Sequence, residues 1–352
     1  MTRKLFRAVA ILLAVSCVFI ACARRPGYTG RKTGSAQSEV VIPNGDPIEP
    51  GQTVTTADVS AFTVESVTFT DDIVPASPRY IYSHYPAGAG RTYADVVFAY
   101  QNLRTNNVET KNVFSAALYA SGQYCYEGTV ASEDSNRSDF AFSSVTVIPL
   151  ATEYVHCAFE IPKAIAESDC ELLALITVDQ KPYALTIREG SEGDLSAAVT
   201  DGAETKLSGE LAIGSSVHVP EAAVFTPEDV RFTKELRPSD PGRFSTYYTA
   251  DDGKIYLDLC LRYCNLQSGT VNAKEQITTK MTYAGKYAYD SRMFVENTDG
   301  TSVGQRWSIY IPPLCAESIH FLFEVPEQIA SDSEPVTVSL TVDGCAYTLR
   351  VR

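Results

Sequence analysis

Residues 256–266, YLDLCLRYCNL, place Leu257, Leu259, Leu261 and Tyr263 at alternate positions, with Tyr256, Asp258, Cys260, Arg262 and Cys264 between them. Successive side chains of an extended chain point to opposite faces, so this period of two predicts a strand with one face turned to a core. Residues 93–103, YADVVFAYQNL, keep the same phase, with Ala94, Val96, Phe98 and Tyr100 facing inward. Asp95 and Asp258 then fall on the other face, beside Tyr93 and Tyr256. They are read as the only acids repeated inside a strand, bonding Tyr or Arg neighbours there or ligating a cation. Asn102 and Asn265 close the two strands, where an Asn side chain caps a turn through backbone bonds. Ser121–Gly122, Ala284–Gly285 and Asp343–Gly344 separate strand-like runs and predict tight hairpins. The counterpart of the last, DQKP at 179–182, has the same length without the glycine. Helix is expected only as single turns after Pro162 and Pro326.

The two strands belong to a larger repeat. Gly51, Val54, Phe62, Val67 and Phe69 recur as Gly214, Val217, Phe225, Val230 and Phe232, all 163 residues on. After one added residue the spacing is 164, matching FEIP at 159–162 to FEVP at 323–326 and VDQKPYALTIR at 178–188 to VDGCAYTLRVR at 342–352. A period of this length is a duplicated domain rather than a solenoid repeat. The expected organisation is an N-terminal signal at 1–22, a flexible Gly/Pro-rich tether at 23–48, and a first copy at 49–188. An acidic linker at 189–211, with room for part of it to pair onto a domain edge, and a second copy at 212–352 follow. Short strands with turn signals every 8–12 residues predict an all-β chain of two tandem β-sandwiches.

The first residues carry a different pattern. Arg3, Lys4 and Arg7 precede an uncharged run from Ala8 to Ala21, which is the form of an export signal and short for a membrane span. Small residues before Cys22, in FIAC, resemble the lipobox of bacterial lipoproteins, in which the cysteine is lipid-modified and becomes the new N-terminus. Phe19 stands where that family usually has Leu. Cys17, in AVSC, is the alternative lipid site, and an uncleaved anchor the alternative to processing. Each reading puts the rest of the chain outside the cytoplasmic membrane, attached to its outer face. Loss of residues 1–21 removes three basic groups and no acidic one, moving the formal charge from −14 to −17. A surface that acidic repels phosphate backbones, so nucleic acid is not an expected partner. Seven cysteines remain: Cys125, Cys157, Cys170, Cys260, Cys264, Cys315 and Cys345. Their odd number and irregular spacing argue for free thiols rather than a disulfide framework. Cys260 and Cys264, about 13 Å apart on one strand, are too distant to bridge each other.

The chain holds no G-x-S-x-G, no H-E-x-x-H and no phosphate-cradling glycine loop. His84, His156, His218 and His320 are read as isolated residues that do not recur between the copies, and no metal or cofactor is expected. Acid pairs such as Asp71–Asp72 and Asp251–Asp252, and ENTDG at 296–300, are read as turn chemistry. The aromatic segments before the two core strands are the expected ligand-binding surfaces. They contribute Tyr80, Tyr82 and Tyr85 from RYIYSHY and Phe244, Tyr247 and Tyr248 from RFSTYY. Tyrosine on a rigid sandwich gives contact area at low entropy cost and stacks on sugar rings.

The lipobox, the tether, the stretch GQTVTTADVSAFTVESVTF and the strand YADVVFAYQNL together resemble the immunoglobulin-like domains of uncharacterised bacterial cell-surface lipoproteins. That group is related to the immunoprotective extracellular protein-like family. The resemblance spans both copies and implies immunoglobulin-like sandwiches with no known reaction. The expectation is a lipid-anchored binding or scaffold protein, non-catalytic, with a surface protein or glycan as partner. A glycan- or cell-wall-processing protein and a purely structural spacer are the alternatives.

Overall fold

The computed structural model describes residues 40, 42–141, 144–191, 193–297 and 300–352. The signal at 1–22, with Cys17 and Cys22, and the tether as far as residue 39 lie outside the described residues. Two sets of ten strands build the fold. The first set is β1 (Asp46–Ile48), β2 (Thr53–Thr56), β3 (Ser60–Thr70), β4 (Arg91–Asn102), β5 (Phe114–Ala120), β6 (Tyr124–Glu127), β7 (Thr129–Ser132), β8 (Thr152–Pro162), β9 (Leu172–Val178) and β10 (Lys181–Arg188). The second is β11 (Ser208–Leu211), β12 (Val217–Val219), β13 (Ala223–Thr233), β14 (Lys254–Asn265), β15 (Ile277–Tyr283), β16 (Tyr287–Asp290), β17 (Arg292–Glu296), β18 (Ala316–Pro326), β19 (Val336–Val342) and β20 (Cys345–Arg350).

The first copy pairs these strands as two sheets, β1-β10-β9-β5-β6 and β7-β8-β4-β3-β2. The second repeats them as β11-β20-β19-β15-β16 and β12-β13-β14-β18-β17, the latter extended by Glu204–Thr205 and Val303–Gln305 at its edges. Strands β3, β4, β8 and β7 hold the places of A, B, E and D in an immunoglobulin sandwich, and β5, β9 and β10 those of C, F and G. The chain is therefore all-β, with two immunoglobulin-like sandwiches in tandem.

The inward phase of β4 and β14 is the expected one. Ala94, Val96, Phe98 and Tyr100, and Leu257, Leu259, Leu261 and Tyr263, have no exposed surface. Phe62 packs edge-on to Phe98 and Tyr183, and Tyr100 to Phe114, at ring separations of 5.0 to 6.0 Å. The hairpins also fall where expected. Asp179 and Gln180 both take positive φ, of 51° and 67°, so DQKP turns as Asp343–Gly344 does without a glycine. Single helical turns follow Pro162 and Pro326, at Lys163–Glu167 and Gln328–Ser331.

The tether needs correction, and part of the linker is paired onto a sheet edge. β1, inside the expected tether, runs parallel to β10 with Asp46 opposite Tyr183, and Ile48 is buried. Gly45 allows that approach, because a Cβ there would lie 2.8 Å from the Tyr183 carbonyl carbon. β11, inside the expected linker, pairs in parallel with β20 and buries Leu211, the equivalent of Ile48. Leu195, Val199 and Ala203 of the linker pack against the core of the first copy, as do Val224, Cys264, Leu266 and Leu314 of the second. The described residues of the two copies consequently belong to one compact unit.

Asn102 and Asn265 do identical work. Each is fully buried. The Asn102 amide donates to Asn106 O and Val147 O at 2.8 and 2.9 Å, and its oxygen accepts from Arg104 N at 3.0 Å. Asn265 does the same with Gly269 O, Ile311 O and Gln267 N, each between 2.8 and 2.9 Å. Replacing Asn265 by Ala removes three bonds to backbone groups, that to Ile311 O fully buried and the other two partly so, so the expected loss is about 3 kcal/mol. Asn265→Asp should be no milder, since a carboxylate cannot donate to the two carbonyls. Urea denaturation of the two variants checks this.

Candidate functional site

The connection between β3 and β4, residues 71–90, and its equivalent between β13 and β14, residues 234–253, cross the outer face of the core sheets. Each folds back on itself through a two-residue ribbon, Asp72–Ile73 with Tyr85–Pro86 and Glu235–Leu236 with Tyr248–Thr249. Thr70 and Thr233 open the loops in the same way, each hydroxyl donating to a carbonyl two residues on at 2.8 Å.

Carboxylates hold both ends of each loop; Glu133 is buried and Glu160, Glu296 and Glu324 are half-buried. Glu133 Oε1 accepts from Ala76 N at 2.7 Å, and its equivalent Glu296 accepts from Ser239 N. At the far end Glu160 Oε1 accepts from Gly88 N at 2.7 Å, and its equivalent Glu324 from Asp251 N at 3.3 Å. The second oxygen of each meets a cation, Arg91 at 3.4 Å and Lys254 at 3.2 Å. Asp95 and Asp258 are thus not the only repeated strand acids.

Under the loop lies the Asp95 network. Asp95 is buried on the outer face, and its Oδ2 is 2.8 Å from His156 Nδ1 on the neighbouring strand β8. His156 Nε2 is 3.4 Å from Glu133 Oε1, and Glu133 Oε2 accepts from Arg137 Nε. Two carboxylates, an imidazolium and a guanidinium form a set with no net charge. Phe140 stands edge-on over the imidazole at 5.2 Å, and Tyr85 packs on Phe140 at 5.2 Å. In the second copy His320 Nδ1 is 2.9 Å from Asp258 Oδ1, and Arg231 reaches Asp258 Oδ2 at 3.7 Å. His156 and His320 therefore do recur, at the spacing of 164, which corrects the reading of four isolated histidines. The residue gained between Glu133 and Pro149 hides the match from a search at 163. His84 pairs with Asp72 at 2.8 Å, on the loop itself.

Burial opposes protonation of His156, but its contacts with Asp95 and Glu133 outweigh it and raise its pKa to about 9. Burial likewise resists ionisation of Glu133, yet His156, Arg137 and the Ala76 amide hold its carboxyl below the usual range. Among the described residues no group of three or more His, Cys, Asp or Glu side chains is arranged to hold a metal ion. Asp95 and Asp258 act as floor posts for the loops, bonded to histidine. Thr298 and Asp299 of the 296–300 turn lie outside the described residues.

The structure divides the six aromatic residues into anchors and tips. Tyr85 packs on Phe140, and Tyr248 on Phe294 at 4.5 Å, its hydroxyl accepting from Gln305 N at 3.2 Å. Tyr82 packs edge-on to His84, and Tyr247 lies under Arg237 at 4.6 Å. Tyr80 and Phe244 are 104% and 87% exposed, Phe244 with its neighbour Arg243 5.5 Å over the ring. Ile81, 94% exposed, is the equivalent of Phe244. Tyr80 sits at φ 57°, a left-handed conformation that a non-glycine residue adopts at a cost of roughly 1 kcal/mol.

Two clefts lie where the copies meet. One, of about 290 Å³, is lined by Arg91, Tyr93, Glu160 and Tyr126 of the first copy and Tyr310 and Pro312 of the second. The other, of about 340 Å³, lies between Gln123, Asp194 and Ser196 on one side and His218 and Leu266 on the other. Both are at the small end for ligand sites. Cys157, Cys170, Cys260, Cys264, Cys315 and Cys345 are free thiols. Burial pushes Cys157 well up, Cys260 and Cys315 up to about 12 and Cys264 to about 11, so none of these four is a ready nucleophile.

No family model matches the chain, and no curated protein is similar to it. Among solved structures it is similar to an uncharacterised β-sandwich protein from Clostridium difficile 630. The identity is 26%, the match covers 42% of this chain and 97% of that one, and the TM-score is 0.38. A conserved hypothetical protein from Bacillus anthracis is 12% identical over 40% of this chain and 95% of that one, with a TM-score of 0.29.

Because the folded pKa of His156 lies above the ordinary value of 6.5, its pairing stabilises the fold fully below about pH 6.5. That contribution is lost as the pH rises through about 9. The expected loss is about 3 kcal/mol between those limits. His156→Gln should be less stable at pH 6 and should lack this decline. Urea titrations of both proteins across the range measure it.

Proposed function

We propose that the chain is a lipid-anchored protein of the outer cell surface that binds a partner, protein or glycan, through its two clamped loops without catalysing a reaction. One observation carries this reading. Two equivalent loops, each held at both ends by carboxylates of the core strands and their edges, leave a large apolar side chain in solvent at the same position, Ile81 and Phe244. Such side chains contribute nothing to the sandwich cores. A rigid loop that displays aromatic and aliphatic groups loses little entropy when a partner covers them. The neighbouring Tyr80 suits either a protein surface or the face of a sugar ring.

The anchor rests on the pattern of residues 1–22 and on the resemblance to surface lipoproteins of the immunoprotective extracellular protein-like group. A lipid at Cys22 would place the loops beyond a tether of roughly 25 residues or fewer, within about 30 Å of the bilayer. Detergent partitioning of native cells tests this part. The full chain should enter the detergent phase and Cys22→Ala the aqueous phase. Wild-type protein in the aqueous phase would contradict it.

For the loops, a glycan array and capture from surface extracts identify the partner, and the triple variant Tyr80→Ser, Ile81→Ser, Phe244→Ser decides whether the tips carry it. Binding should weaken by roughly tenfold or more with an unchanged melting temperature. Undiminished binding would overturn the loop assignment.

A further inference from the structure

Two surfaces of this fold are used once and present twice. In the first copy the β5–β6 hairpin buries Tyr124 and Tyr126, each 1% exposed, in an apolar cluster that includes Val224, Cys264, Leu266 and Leu314 of the second copy. Polar contacts fix the register. Cys125 N donates to Ser268 O at 2.7 Å, and the Arg91 guanidinium donates to Ala316 O at 3.1 Å and pairs with Glu317.

The equivalents of both surfaces lie open. On the β15–β16 hairpin Tyr287 is 49% exposed and Ala288 is exposed, with Tyr289 half-buried. On the first copy Leu150, equivalent to Leu314, is 71% exposed, and Ala61, Gln101 and Leu103 are half-buried where Val224, Cys264 and Leu266 are buried. The charges are repeated as well. Lys254 stands in the place of Arg91 and Glu153 in the place of Glu317.

We infer that the Tyr287–Tyr289 hairpin of one molecule docks on the Leu103–Leu150 face of the next, repeating between chains the contact that joins the copies within one. The occupant is a second copy of this chain because the internal interface already shows what covers each half. The hairpin and the face that receives it are different surfaces, so the contact is heterologous and builds open head-to-tail chains rather than closed pairs. Gln101 and Ala61 make the receiving face less apolar than its internal counterpart, and no connecting segment tethers the partners. The association is therefore concentration-dependent.

Sedimentation velocity of the full chain, in a mild detergent that masks the apolar run at 8–21, tests this. The weight-average mass should rise over about a hundredfold range of concentration. Leu150→Glu and Tyr287→Glu alter exposed positions, and each variant alone should stay monomeric. Mixed, they should form a one-to-one heterodimer and nothing larger, since each retains the half that the other lacks. Association through the N-terminus would be the same in all samples. A wild-type chain that stays monomeric throughout, or association unaffected by both substitutions, would overturn the inference.

Discussion

A carboxylate taken out of water must be paired, and Asp95 and Asp258 stand on the face of the central strands that an exposed sheet would leave wet. Loops close over that face and exclude solvent, so each acid needs a partner within the covered layer. Histidine on the adjacent strand supplies it in both copies, at 2.8 and 2.9 Å. Leaving such a charge unpaired would cost roughly 3–5 kcal/mol. The pairing therefore conditions what lies above it. Glu133 bonds both His156 and the Ala76 amide, so the electrostatic balance of the floor is coupled to the position of the loop.

The two copies reach the same balance with different cations. In the first, Arg137 neutralises Glu133 and lies over the Tyr154 ring at 3.6 Å. In the second that position is Gly300, where a Cβ would meet the Ser239 hydroxyl at 2.9 Å, and Arg231 approaches Asp258 from the next strand. The hairpin acids diverge in the same manner. Asp179 keeps a guanidinium, Arg104 at 2.7 Å, as well as Ser60. Both acids also accept from the equivalent tyrosine, Tyr100 or Tyr263, but Asp343 has Gln267 in place of the guanidinium, and burial pushes its carboxyl up to about 6 against the lowering effect of the Tyr263 hydroxyl. Duplication has kept the sites and changed the counter-charges.

The sequence made the long strands legible because a period of two survives in β4 and β14 even where Cys and Arg replace apolar neighbours. β1 was not legible, and β11 only as a linker with room to pair onto a domain edge. Each offers a single buried residue, Ile48 or Leu211, inside polar stretches that read as tether and linker. The Asp–His pairing escaped for a plainer reason. Its two members lie on either side of the point where the spacing changes from 163 to 164, so the acids match in one frame and the histidines in the other. The aromatic segments of the sequence lie in the connections that precede the two central strands. Their division into anchors, such as Tyr85 and Tyr248, and tips, such as Tyr80 and Phe244, depends on Phe140 and Phe294, which come from distant parts of the chain.

The central claim is that carboxylates beneath the aromatic loops, Glu133 and Glu160 and their equivalents Glu296 and Glu324, hold those loops rigid. Amide hydrogen exchange of Ala76, Gly88 and Ser239, with and without Glu133→Ala, tests it most directly. In the wild-type chain all three amides should be protected well beyond an open loop, and Glu133→Ala should release Ala76 while leaving Ser239 unchanged. Fast exchange of all three in the wild type, or protection of Ala76 that survives the loss of Glu133, would contradict the account.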